Sequence, residues 1–264
     1  MRMLARGLTG QATHGAAGMP ADGRQPTLVG AITLILGYFA LQLAIAVPAF
    51  ALARLLAGRF GIAFDDARLY ALLAILLLSP LAILTAIRYV WPAMWALATP
   101  PGLGWCAPRG GGAYVLAAAL GIAVPLVSSA LTALLAHGHP VDQDVHQWLV
   151  HASLPPQILM MVVAVTLAPA VEELMFRGVL LSALLRRLRA GWAVGICAAA
   201  FALVHLPDFA YHWYPLPGLA LLGAVAAWLR LRSGSIRPAL LLHAGNNLCA
   251  VLVWMSQLHG TQGH

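Results

Sequence analysis

Lysine is absent from this chain of 264 residues, and acids and bases together make up only 9% of it. Soluble domains carry about 25% charged residues, so a water-facing globular surface is excluded. Cysteine is scarce as well: Cys106, Cys197 and Cys249 are odd in number and scattered, which rules out a disulfide framework or a thiolate metal motif. The bases are all Arg, 15 against eight acids, for a net charge of +7. They cluster beside apolar stretches, where they read as topology signals and contacts to anionic lipid, not as a nucleic-acid surface. Glutamate occurs only at Glu172 and Glu173.

What is present is apolar: 61% of residues are hydrophobic, and mean hydropathy is +0.85. The fold class is therefore an all-α, polytopic membrane bundle in a lipid bilayer. Residues 1–27 have no apolar run and read as a disordered cytoplasmic tail. The apolar stretch from Arg24 to Arg54 is too long for a cleavable signal peptide and long enough to span. Charge-free intervals then mark spans at 69–87, 110–141, 145–171 and on through the glutamates, 190–207, 209–229 and 238–257, making seven helices. Arg2, Arg6, Arg24, Arg88, Arg109, Arg186, Arg187, Arg189, Arg230, Arg232 and Arg237 fall on one side, which the positive-inside rule makes cytoplasmic. The loop 137–156 carries Asp142 and Asp144 but no Arg, as an outside loop should. Arg54, Arg59 and Arg68 oppose this pattern, partly offset by Asp65 and Asp66; an eighth, interfacial element there would resolve the conflict.

Against that background Glu172, Glu173 and Arg177 stand out, because residues 145–171 before them hold no Asp, Glu, Lys or Arg. Ionisable groups at membrane depth are costly, so they signal function, although a helix cap or helix-to-helix glue uses the same residue types. On a helix Glu173 and Arg177 share a face and can neutralise each other. Glu172 is rotated about 100° from Glu173 and stays free. Pro48, Pro125 and Pro169 bend their helices and free carbonyls for neighbours to satisfy. Small residues at Ala198, Ala199, Ala200, Ala244 and Gly245 permit close helix contact.

Few other polar groups lie within the later spans. His205 shares a face with Phe201, and His243 shares one with Asn247, four residues on. Counted at 1.5 Å per residue from the Arg stops, Glu172 and His205 lie about 20 Å along their helices and Asn247 about 15 Å, so the three can meet. Glu172, His205 and His243 also fit a two-His, one-carboxylate zinc site, although no H-E-x-x-H is present. The outer-loop residues His137, His139, His146 and His151 are irregularly spaced and read as solvated; His14, His259 and His264 lie in the tails.

E-E-x-x-x-R at Glu172, Glu173 and Arg177, F-x-x-x-H at Phe201 and His205, and H-x-x-x-N at His243 and Asn247 resemble the three motifs of the CAAX-protease and bacteriocin-processing (Abi) family of intramembrane proteases. The resemblance covers about residues 155–257, making 28–154 an N-terminal set of helices and 258–264 a tail. It implies a metal-independent glutamate endopeptidase acting on a membrane-associated peptide or protein. A carboxylate drawn out of bulk water becomes a better general base. Glu172 would deprotonate a water held by His205, and His243 with Asn247 would stabilise the oxyanion. Glu173 with Arg177 would fix the electrostatics, and Phe201 would pack behind His205. The expected setting is a multi-pass protein of the inner or plasma membrane with its site facing the cytoplasm. A second class remains, a catalytically idle bacteriocin-immunity or assembly partner, a role also associated with the family. A transporter is disfavoured, since neither internal repeats nor a chain of acids through several spans is present.

Overall fold

The structure, a computed structural model, describes residues 25–139 and 144–261. The tail up to residue 24, the loop acid Asp142, the side chains of Asp144, His146 and His259, and residues 262–264 lie outside that description. Among the described residues all regular structure is helical. Thr27 caps α1 (Leu28–Phe60) by accepting a hydrogen bond from the Gly30 N–H at 3.0 Å. Gly61, at φ 66°, then turns the chain into α2 (Phe64–Val90), a left-handed conformation that glycine adopts without strain. A 3-10 turn (Pro92–Trp95) and an irregular loop lead to α3 (Gly112–Ala136) and the short α4 (Asp144–His151). One long element follows in four parts: α5 (Leu154–Val165), α6 (Leu167–Glu173), a π-helical segment (Leu174–Leu180) and α7 (Leu181–Leu185). Then come α8 (Ala190–Val204), a 3-10 turn (Leu206–Phe209), α9 (Leu216–Ser233) and α10 (Arg237–Thr261).

Five helical stretches are long and apolar enough to cross a membrane: Leu28–Phe60, Phe64–Val90, Gly112–Ala136, Leu154–Leu185 and Arg237–Ser256. The other two expected spans are helical but short, 15 residues in α8 and 18 in α9. Charge-free intervals overstate them because Pro207 cannot continue α8 and α9 begins only at Leu216, after the irregular chain, although it then runs on through Arg230 and Arg232. α1 runs on through Arg54 and Arg59, so no extra element fills the first loop; the additional short helix is α4. α10 likewise continues to Thr261, past the tail boundary expected at 258.

Hydrogen bonds pin the two ends of the bundle. At the Arg-rich end Arg186 donates to the Pro26 carbonyl at 3.3 Å, and the Arg109 and Ile236 amides donate to Ser233 and Gly104 at 3.1 and 2.9 Å. At the other end Asp66 of α2 accepts from the amide and hydroxyl of Ser153, just before α5, both at 2.6 Å. Close helix approach depends on missing side chains. A Cβ on Gly121 of α3 would lie 3.3 Å from the Gly245 backbone of α10, and one on Gly223 of α9 would lie 3.0 Å from Ala198 of α8. The main core joins α1, the loop after α2, the π segment, α8 and α9, and Phe176, Phe201, Leu103 and Leu181 are buried in it.

Candidate active site

Pro169 sets the local backbone. Lacking an N–H and crowding the carbonyl four residues back, it prevents α5 from continuing smoothly, and the helix breaks at Thr166, whose φ is −116° and ψ −69°. The break leaves the Ala164 carbonyl open to a neighbour, and Asn247 of α10 donates its amide Nδ2 to it at 2.9 Å. Immediately after Glu173 the chain widens into the π segment, a rare form that recurs at functional sites.

Glu173 and Arg177 are 1% and 0% exposed, and Arg177 Nη1 lies 2.9 Å from Glu173 Oε1. Arg177 also donates to the Gly223 carbonyl of α9 at 3.3 Å and stands 4.4 Å over the Phe201 ring. The same Glu173 oxygen lies 2.9 Å from His243 Nδ1. Since a carboxylate can only accept there, Nδ1 carries a proton, and His243 turns Nε2 outward toward Glu172. His205 is oriented in the same way by a different partner: its Nδ1–H donates to the Phe201 carbonyl at 2.7 Å, which leaves Nε2 toward Glu172. Both Nε2 atoms stand 3.7 Å from Glu172 Oε2. Those separations exceed a direct hydrogen bond but let one water touch all three atoms.

Phe201 ties the cluster together, with its ring centroid 4.8 Å from that of His205, 5.5 Å from that of His243 and 5.3 Å from that of Phe176. Glu172, Glu173, Arg177, Phe201, His205 and His243 therefore form one assembly. Asn247 adjoins it through α10, but its amide is directed to Ala164 and it also accepts from Asn246 at 3.2 Å. The N–H of His243 likewise points to Glu173, away from Glu172. Among the described residues no group of three His, Cys, Asp or Glu side chains is arranged to hold a metal, and this includes His137, His139 and His151.

Three further groups belong to the surroundings and escaped sequence reasoning. Tyr38 of α1, buried near Ser79 of α2, lies within electrostatic range of Glu172. Asp208, in the turn after α8, couples electrostatically to both His205 and Glu172. The signal for the first two was present, since hydroxyls are few in those apolar helices; Asp208 stands only three residues from His205.

Compared with known proteins, residues 154–249 match the family described as type II CAAX prenyl endopeptidase Rce1-like. The matched stretch contains all of the cluster and Asn247 but none of α1 to α4. No curated protein and no solved structure matches the chain.

Proposed function

From a chain whose residues 154–249 match the Rce1-like CAAX-protease family and whose helices make it an integral membrane protein, we propose a metal-independent glutamate endopeptidase that cleaves a membrane-associated peptide or protein. The observation that carries this reading is the convergence of two Nε2 atoms on Glu172 Oε2 at 3.7 Å each. A water between these three atoms can give a proton to Glu172 as the general base while it is held by His205. Glu172 takes the proton as the water oxygen attacks the peptide carbonyl, while His205 holds the water. The oxyanion then needs donors. His243 supplies one when protonated at Nε2, a state that Glu173 favours from the Nδ1 side, as a carboxylate does behind a catalytic imidazole. The second amide hydrogen of Asn247 supplies the other. Collapse of the intermediate breaks the C–N bond, and Glu172 returns its proton to the leaving amine. Arg177 keeps the Glu173 charge balanced in a buried setting, and Phe201 holds both rings in register.

Glu172→Gln tests the proposal, because it keeps size and shape and removes basicity. Cleavage should fall by about 100-fold or more with folding preserved, and wild-type activity should survive exhaustive chelation. Activity lost to chelator and restored by zinc would overturn the metal-free mechanism. Full biological function in Glu172→Gln would instead favour a non-catalytic partner.

A further inference from the structure

We infer that the cavity between the α1–α2 turn and α4 binds an anionic phospholipid, its phosphate held by Arg54 and Arg68 and its acyl chain laid against Phe50 and Trp148. The cavity lies outside the matched stretch 154–249 and shares no residue with the Glu172 cluster.

The cavity has a volume of about 440 Å³ and is walled by α1, the first turns of α2, and α4. Arg54 and Arg68 line it together with the rings of Phe50, Phe64 and Trp148. Its walls are fixed without using up the guanidiniums. Ala53, Ala67 and Ala71 cluster where α1 packs on α2. Leu149, 1% exposed, seats α4 in a core with Leu69 and Leu73 of α2. Gln157 of α5 ties down the end of α4 by donating to the Leu149 and Ala152 carbonyls at 2.7 and 2.9 Å. The rings of Phe50 and Trp148 then meet edge to face, with centroids 6.0 Å apart.

Charge in the cavity is unbalanced. Asp65 pairs with Arg68 through a single nitrogen, Nη1, at 3.2 Å, and Arg54 has no acid partner among the described residues. Asp66, the other acid of this turn, already gives both oxygens to Ser153 at 2.6 Å each. Arg59, further along α1, adds a base to the same end. A guanidinium presents five N–H donors in a planar fork that matches phosphate, so most of the donors of Arg54 and Arg68 remain available. Aromatic faces hold Arg68 in place, its guanidinium carbon standing 4.1 Å from the Phe64 ring centroid and 5.6 Å from that of Trp148.

Depth selects an amphiphile. From Arg68 to Arg88 α2 rises about 30 Å, the thickness of the hydrocarbon core, so Arg68 stands at the headgroup boundary. α1 runs antiparallel to α2, with Gly30 against Trp91 at the far end, so Phe50 lies about 6 Å deeper than Arg54. Positive charge at headgroup level over a deeper aromatic floor matches a phosphate attached to an acyl chain. Free phosphate would leave the floor without a partner, and a zwitterionic headgroup would bring an ammonium against the guanidiniums.

Photolabelling of the full-length protein in phosphatidylcholine discs, doped with a phosphatidylglycerol that carries a diazirine on its acyl chain, tests this. Peptide mapping should place the label on α1 around Phe50 or on α4 around Trp148, and unlabelled phosphatidylglycerol should compete it away. Arg54→Gln and Arg68→Gln should each lower this labelling by about five-fold, the contribution of one Arg near an anionic lipid, whereas Arg54→Lys should keep most of it. Arg187→Gln, at the opposite end, should leave it unchanged. Arg54 takes part in no ion pair among the described residues, so Arg54→Gln decides the matter even where Arg68→Gln fails to fold. Equal competition by added phosphatidylcholine would mark ordinary boundary lipid, and competition by inorganic phosphate would mark a free-anion site; either overturns the proposal. Label absent from the cavity, full labelling of Arg54→Gln, or an equal loss in Arg187→Gln overturns it as well. None of these readouts depends on cleavage.

Discussion

Replacing Glu173 by Gln should damage this protein in a way that replacing Glu172 does not, although the two residues are adjacent and chemically identical. Glu173 is 1% exposed, and one of its oxygens serves both Arg177 and His243 at 2.9 Å. A glutamine oxygen can still accept from His243, but the negative charge is gone. Arg177, with no exposure, is then left with the Gly223 carbonyl at 3.3 Å and the Phe201 ring as its compensation. Removing one partner of a buried ion pair costs about 3–5 kcal/mol, because the surviving charge stays desolvated. Taking Arg177 away as well removes that orphaned charge, so Glu173→Gln/Arg177→Met should be less destabilised than the sum of its single variants. A coupling of about 1–3 kcal/mol is expected for groups in direct contact. Thermal or denaturant unfolding of the purified protein in detergent measures all four corners of the cycle. Strict additivity, or a Glu173→Gln variant as stable as wild type, would refute the reasoning and reduce the pair to an incidental contact.

Other changes probe separate links. Asn247→Ala strands the Ala164 carbonyl and should cost about 1–3 kcal/mol of stability besides its effect on cleavage; unchanged stability with lost cleavage would mean that Asn247 serves the reaction alone. Gly178→Ala forces a methyl against Leu103 and should cost about 1–3 kcal/mol by overpacking. Leu103→Ala should relieve that cost in the same unfolding assay, and the absence of relief would show that the loop after α2 does not bear on the π segment.

The helical class and the place of the charged cluster were legible because membrane depth makes polar residues rare and therefore conspicuous. Glu172 could be singled out with no knowledge of packing, since residues 145–171 hold no Asp, Glu, Lys or Arg, and His205 and His243 because few other polar groups lie within the later spans. Span lengths were harder. A charge-free interval marks where a helix is permitted, not where it ends, and Pro207 and Gly61 decide the ends of α8 and α1 by backbone geometry. The packing of the loop after α2 was invisible, because the contacts of Leu103 with Gly178 and of Arg230 with Ala98 and Gly102 join residues far apart in sequence.

The roles inside the cluster depend on something spacing does not encode, namely which ring nitrogen holds the proton. Helical periodicity places His243 and Asn247 on one face and invites reading both as donors to an oxyanion. Packing redirects them: the Glu173 carboxylate takes the His243 N–H at 2.9 Å, and the carbonyl freed by the Pro169 break takes the Asn247 amide at 2.9 Å. What faces Glu172 is therefore a pair of Nε2 atoms whose rings are fixed from behind, His243 by Glu173 and His205 by the Phe201 carbonyl. Under the proposed mechanism the water's proton stays on Glu172 until it passes to the leaving amine, so an Nε2–H of His243 that serves the oxyanion is in place before attack begins. Glu173, by accepting from Nδ1–H, is the group that sets which nitrogen of His243 faces the reaction.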